Sequence, residues 1–288
     1  MSGEKFASAM SCADSEQIEP YELQTQTKRA LCDVTEGLRR WRVWLMLAYQ
    51  DIKLRYRRSV LGPFWLTLSM AVTAYSMGFL YSHLFHTQID EYFPFLVAGM
   101  LGWSLISTVV IEMIDGLISF DNFIKQIKLP YTLYAHRIAA RNLLIFVHNL
   151  AVIVPIYLIF HKTVHVNFNT LLVIPGVAII YFNAVTYGMV LAMIGARFRD
   201  VSQIIRSLIQ VVFFVTPVMW SPQVLGEKYR YLVEFNPFYA FLQLVRAPLL
   251  GHFPALSTLL MVGSMSVFGT LISFSMFKKY RARIVYWL

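Results

Sequence analysis

The sequence predicts an all-α, polytopic membrane protein. It would have six transmembrane helices per subunit, an N-terminal amphipathic interface helix and broken helices before the last span. Three observations carry this. The 288-residue chain is 57% hydrophobic and only 14% charged, against roughly 25% charged in soluble domains. Its apolar residues fall into six runs, each near the roughly 20 residues needed to cross a bilayer. Its basic residues gather at the ends of those runs. A net charge of +9 could suggest nucleic acid, but this placement argues for a membrane surface and no nucleic-acid partner.

Residues 1–38 are polar and mixed in charge, with a short helix expected from Tyr21 to Leu38. Both cysteines, Cys12 and Cys32, lie there. In a cytoplasmic tail they are expected to be reduced. No secretory signal pattern is seen, so the first apolar run, near residue 60, is expected to serve as an uncleaved anchor.

Residues 39–59 follow. In Trp41–Trp65, WRVWLMLAYQDIKLRYRRSVLGPFW, the residues Trp41, Trp44, Leu45, Ala48, Ile52 and Tyr56 recur every three or four positions. Arg39, Arg40, Arg42, Lys53, Arg55, Arg57 and Arg58 lie largely off that stripe. Such a helix lies in the membrane interface plane. Gly62-Pro63 marks the turn into the first span.

The transmembrane domain is predicted over 60–277. Its spans are about 60–84, 93–118, 143–160, 170–196, 204–220 and 256–277. Asp200 with Gln203 has the spacing of a capping box that would start the fifth span. The segment 231–250 holds Glu234, Asn236, Pro237, Arg246 and Pro248. Two prolines and two charges disfavour a spanning helix, so broken or re-entrant helices are expected there. Residues 278–288 form a basic C-terminus. With six spans, only Lys162, Lys228, Arg230 and Arg246 of the 25 Lys and Arg residues fall outside. That asymmetry sets both termini on the cytoplasmic side. A seventh span over 231–250 would put the basic C-terminus outside.

No Walker-type glycine loop occurs, no nucleophile–base pair stands out and no Cys/His metal spacing is present. The seven histidines are scattered. Neither catalytic residues nor a metal is therefore expected. Glu112 and Asp115 lie three apart at the inner end of the second span, hence on one face. They line an inner mouth, receive a basic partner from the interface helix, or are simply solvated there. His148, Asn149 and Asn183 suit interhelical hydrogen bonding.

The midplane is almost uncharged, whereas ion-driven carriers place carboxylates or discontinuous helices there. Energy for transport would then come from a separate motor protein. The loop Ser119–Arg141 mixes Phe120, Phe123, Ile124 and Ile127 with Lys125 and Lys128, bounded by Pro130. A short amphipathic helix of this kind suits partner docking; the alternative is a loop helix lying on the surface. Tyr75, Phe79 and Tyr81 in the first span, with Phe213, Phe214 and Trp220 in or after the fifth, could line a passage where sugar rings stack on aromatic faces. The competing role is packing and interface anchoring.

Several stretches, in order, carry a resemblance: DIKLRYRRSVLGPFW (Asp51–Trp65), DNFIKQIKLP (Asp121–Pro130), ARFRDV (Ala196–Val201), TPVMW (Thr216–Trp220), NPFYAFLQLVRAPLLG (Asn236–Gly251) and RARIVYWL (Arg281–Leu288). Over residues 40–288 the chain resembles the permease subunit of ABC exporters for polysaccharides and polyol phosphates, of the O-antigen, capsule or teichoic-acid type. The resemblance implies a homodimer working with two copies of a separate ABC ATPase, which binds ATP-Mg. It implies that Trp41–Arg58 is the interface helix. Asp121–Leu129 would be the ATPase coupling helix, with Asp121, Asn122, Phe123, Ile124, Lys125 and Lys128 as its contacts. It implies that 231–250 forms outer gate helices and that spans one and five line the channel. The family commonly has an aromatic-Pro-Arg sequence here, whereas this chain has Leu129-Pro130-Tyr131.

The function expected is export of a lipid-linked polysaccharide across the bacterial inner membrane, as in lipopolysaccharide biosynthesis. Arg55, Arg57 and Arg58 are the candidates for lipid-phosphate contact at the inner gate, since guanidinium pairs bidentately with phosphate. They could equally bind lipid head groups or only set topology. The alternatives are a small-molecule or drug exporter subunit and a non-transport membrane scaffold.

Overall fold

The computed structural model describes residues 23–57, 59, 61–62, 64–84, 86–224, 226 and 230–288. Most of the expected tail and Arg58 lie outside the described residues. The described chain opens with α1 (Leu23–Arg39) and α2 (Trp41–Arg55). Cys32 lies on α1, and Cys12 lies outside the described residues. Helix α2 buries Ala48 and Ile52. Trp44, Ala48 and Ile52 of its sequence stripe meet protein, because α2 packs along α7 (Tyr131–Asn149), while Trp41 and Leu45 of the same stripe stay exposed. Gly62 then takes φ 55°, a left-handed conformation open to a residue with no Cβ, and the chain turns into α3 (Phe64–Leu84).

Helix α4 (Ile89–Ile114) is the hub. Of its apolar stretch 61% is buried, against 11% for α3. It packs against α3, α7, α9 (Val173–Arg197), α10 (Asp200–Val215) and α12 (Pro237–Leu249). Short helices α5 (Gly116–Ser119) and α6 (Asp121–Gln126) form the loop to α7. Backbones come close where side chains vanish. A Cβ on Gly195 would overlap the Ile114 carbonyl, and one on Gly176 the Leu244 carbonyl.

Among the described residues, five helices are long and apolar enough to cross a membrane: Phe64–Leu84, Ile89–Ile114, Tyr131–Ile159, Phe168–Arg197 and Leu256–Trp287. Two boundaries differ from expectation for physical reasons. The third span was placed from residue 143, but its helix starts at Tyr131. Arg137 and Arg141 depress the hydropathy there, yet both are paired with carboxylates, so the helix continues. It passes a 3-10 turn at Leu150–Val152 into α8 (Ile153–Ile159). Pro155 has no N–H to offer the Ala151 carbonyl.

The fifth run is the second case. Helix α10 has 16 residues, about 24 Å at 1.5 Å per residue, short of a hydrocarbon core of roughly 30 Å. It stops at Val215 because Pro217 disfavours a helical residue before it. Thr216 is extended, at φ −82° and ψ 132°. The Asp200 capping box does not form. The N-cap is Arg199 without a side-chain bond, and Asp200 sits in the first turn. There a carboxylate still meets the positive end of the helix dipole.

The segment 231–250 is broken as expected, into α11 (Arg230–Glu234) and α12. Helix α13 (Leu256–Tyr280) completes the bundle. The terminus continues through a 3-10 turn into α14 (Ile284–Trp287). It folds back, with Arg197 5.6 Å from the Trp287 ring centre and Tyr280 5.7 Å from it.

Candidate functional site

The basic end of the bundle carries a charge network that joins three helices. Asp51 of α2 accepts from Arg137 Nε at 2.9 Å and Nη2 at 2.6 Å, a two-pronged pair. It also accepts from Arg141 Nη1 at 3.0 Å. Arg141 Nη2 continues to Glu112 of α4 at 2.8 Å. Glu112 accepts in addition from Asn142 at 2.5 Å and, more loosely, from Arg55 at 3.4 Å. Asp51, Glu112, Arg137 and Arg141 are 10–17% exposed. At that depth solvent screens the charges weakly, and two-pronged guanidinium pairs fix orientation as well as energy.

The network reaches the α5–α6 loop through Arg137. Its guanidinium lies 4.3 Å from the Phe120 ring centre and 5.9 Å from that of Phe123. Phe120 is buried and stacks on Tyr134 at 5.2 Å. Beyond it α6 presents Phe123 and Ile127 to the outside. Lys125 and Asp121 pair across one turn at 2.8 Å. The loop is thus rooted in the helices at one face and offers apolar side chains at the other.

Glu112 and Asp115, predicted as one face, serve different partners. Glu112 pairs loosely with Arg55 of α2, while Asp115 caps the end of α4 and pairs with Arg206 of α10. Of the phosphate candidates, Arg55 is therefore engaged within the chain and Arg57 is exposed just past α2.

A second cluster sits at the opposite end, around the break after α10. Arg246 of α12 is only 1% exposed. Its Nη1 donates to the Pro217 carbonyl and its Nη2 to the Val218 carbonyl, both at 2.7 Å. The Phe95 ring lies 4.1 Å from its guanidinium carbon. Asn236 caps α12 by accepting from Phe238 and Tyr239 N–H groups, and donates to Thr216 Oγ1 at 3.1 Å. The Tyr92 hydroxyl donates to Met219 O at 2.6 Å. Three side chains from α4, α12 and its cap thus hold the Thr216–Met219 turn.

The aromatic candidates separate. Tyr75 is partly buried, donating to the Val152 carbonyl at 2.6 Å and packing on Phe93. Phe213 packs on Trp103 at 5.6 Å. Phe79 and Phe214 point outward, 61% and 65% exposed. Tyr81 is half-buried, and Trp220 donates to the Phe214 carbonyl at 3.1 Å. The structure does not bring the six into one lining within a single chain.

Several contributors, among them Asp51, Arg137, Arg141, Arg246 and Asn236, are not among the predicted site residues. Asp51 stood inside a quoted motif without a role, and only the fold shows Arg137 and Arg141 opposite it. Arg246 was counted as an outside loop charge. Asn236 had a local signal, since Asn followed by Pro is the pattern of a helix cap and first turn.

Comparisons with known proteins show what this chain is similar to. The O-antigen export system permease protein RfbA of Klebsiella pneumoniae is 22% identical over 197 residues, covering 67% of this chain and 74% of that protein. The protein of the same name from Myxococcus xanthus is 25% identical over 178 residues, covering 61% and 67%. The family described as ABC-2 type transporter matches residues 42–250. That match runs from the start of α2 to the end of α12, through both clusters, and the chain belongs to the ABC-2 type transporter family.

Proposed function

We propose that this permease is the transmembrane subunit of an ATP-driven exporter that moves a lipid-linked polysaccharide across the bacterial inner membrane. It works as a homodimer with two copies of a separate ABC ATPase, which holds ATP-Mg. The observation that carries the reading is the family match together with relatives named O-antigen export permeases. The geometry supports a division of labour. Helix α6 offers Phe123 and Ile127 to the motor, and its root leads through Arg137 to α2, α7 and α4. In this reading α2 lies in the inner interface plane, α10 is the fifth of six spans and both termini are cytoplasmic. Arg55, Arg57 and Arg58 meet the lipid phosphate, while the outward rings Phe79 and Phe214 belong to the polymer path.

Deleting the gene in its host and complementing it tests this. Undecorated cells with lipid-linked glycan held inside, restored by the wild-type gene, are expected, as is an ABC ATPase co-purifying with the tagged permease. Normal surface glycan with raised drug sensitivity would favour a small-molecule exporter. Purification with no ATPase and no change in glycan would favour a scaffold.

A further inference from the structure

The N-terminal helix α1 has a contact that the export reading does not use. Asp33 is 2% exposed and sits at the start of α7. Its Oδ2 accepts from the Tyr131 N–H at 3.2 Å and its Oδ1 from the Thr132 N–H at 3.1 Å. The Thr132 hydroxyl lies 2.9 Å from Oδ1 and 2.8 Å from the Asp33 carbonyl oxygen, able to donate to either. Arg281, just past α13, donates its Nε to Oδ2 at 2.9 Å. The same guanidinium stands 5.5 Å from the Tyr131 ring centre. A side chain on Gly37, one turn on along α1, would collide with Thr132.

The first N–H groups of a helix need outside partners. The N-cap of α7 is Pro130, whose side chain has no acceptor. Asp33 supplies the missing cap from another helix, and its charge suits the positive end of the dipole. The location matters because only residues 127–130 separate α6 from α7. An uncapped first turn frays, and a frayed turn absorbs displacement.

We propose that Asp33 is a positioning residue: it caps α7 from α1 and pins it to Arg281, so that displacement of the α6 loop passes into α7 as a rigid lever. This rests on the reading of α6 as the motor-docking segment. It gives α1 a task in energy transfer and joins the N-terminal helix, the loop exit and the C-terminal end of α13 at one carboxylate.

The test uses the full chain co-expressed with its ATPase in the native host, with Asp33→Asn and Arg281→Ala as variants. Two quantities are read: amide exchange in the peptide covering 127–135, and glycan exported per ATP hydrolysed at equal membrane levels. Loss of a charge-assisted cap should speed exchange at Tyr131 and Thr132 about ten-fold in Asp33→Asn. Export per ATP should fall at least several-fold in both variants, while the ATPase still co-purifies. Wild-type exchange, or an unchanged export-to-ATP ratio in both variants, overturns the proposal. Should Asp33→Asn fail to accumulate, Arg281→Ala, which trims a partly exposed side chain, decides by itself. A wild-type preparation that binds no ATPase and exports nothing would defeat the export reading, and exchange at α7 would still decide whether Asp33 is the cap.

Discussion

The guanidinium of Arg246 occupies the space that a Cβ on Gly99 would need. A built Cβ overlaps Nη2 and comes within 2.8 Å of the guanidinium carbon. Arg246 cannot withdraw without releasing the Pro217 and Val218 carbonyls. Gly99→Ala should therefore destabilise by about 1–3 kcal/mol, the usual cost of overpacking. Arg246→Met keeps the stem but leaves two carbonyls without a donor, and should cost about 2 kcal/mol or more. At about 2–4 °C per kcal/mol for a chain of this size, both are measurable by thermal melting of the solubilised protein. Wild-type melting in both variants would mean that Arg246 does not latch the turn.

Arg141 bridges Asp51 and Glu112, so the two carboxylates should not act independently. A double-mutant cycle with Asp51→Asn and Glu112→Gln is expected to give a coupling of about 1–2 kcal/mol, typical of residues sharing a partner. Purely additive losses in thermal stability would show that α2 and α4 are held separately.

How far the sequence foresaw this is seen best at Arg137 and Arg141. Hydropathy placed them in a loop, because a one-dimensional window scores a charge without its partner. The carboxylates that neutralise them come from Asp51, 86 positions from Arg137, and from Glu112. Local signals fared better. The alternation of Trp44, Ala48 and Ile52 gave helix α2, and the prolines at 237 and 248 gave the broken segment. The surface that α2 meets was not legible, since α7 and lipid both accept an apolar stripe. Asp33 was hidden for the same reason, as it caps a helix almost 100 residues away. The sequence marks the aromatic candidates by residue type alone, and type does not tell an inward ring from an outward one.

Phe213 and Phe214 illustrate that last point and yield opposite expectations. Phe213 lies between Phe214 and Trp103 in a buried cluster, so Phe213→Ala should lower thermal stability by about 1–3 kcal/mol for the lost packing. Phe214 is largely exposed, so Phe214→Ala should leave melting within about 0.5 kcal/mol. If it belongs to the polymer path, glycan export should fall at unchanged protein level. Normal export in Phe214→Ala would remove this ring from the path.

Phe123 and Ile127 are exposed at the outer face of the α5–α6 loop, and the Phe123 ring also lies 5.9 Å from the Arg137 guanidinium. Phe123→Asp places a charge on that face while leaving the Lys125–Asp121 pair and the buried Phe120 in place. Membrane level should stay normal and recovery of the ATPase on affinity purification should fall at least ten-fold, as when a central apolar anchor of an interface is lost. Undiminished recovery would place the docking surface elsewhere.

The outward face of α10 gives the sharpest test of the homodimer. Ile204, Leu208, Val211 and Val215 form one exposed stripe at spacings of four, three and four, and Ile209 is the helix's one buried residue. Exposed apolar residues by themselves would suit lipid, and α13 shows the same exposure at Leu260 and Leu271. The difference is length. Helix α10 is about one turn short of the hydrocarbon thickness, and a short helix lowers its mismatch by associating. With Cys12 and Cys32 replaced by Ser, Leu208→Cys and Val211→Cys should therefore form disulfide-linked dimers in native membranes under mild oxidation. Leu260→Cys and Leu271→Cys should remain monomeric. Equal crosslinking at all four positions would indicate random collision, and crosslinking through α13 alone would move the subunit interface to the other side of the bundle.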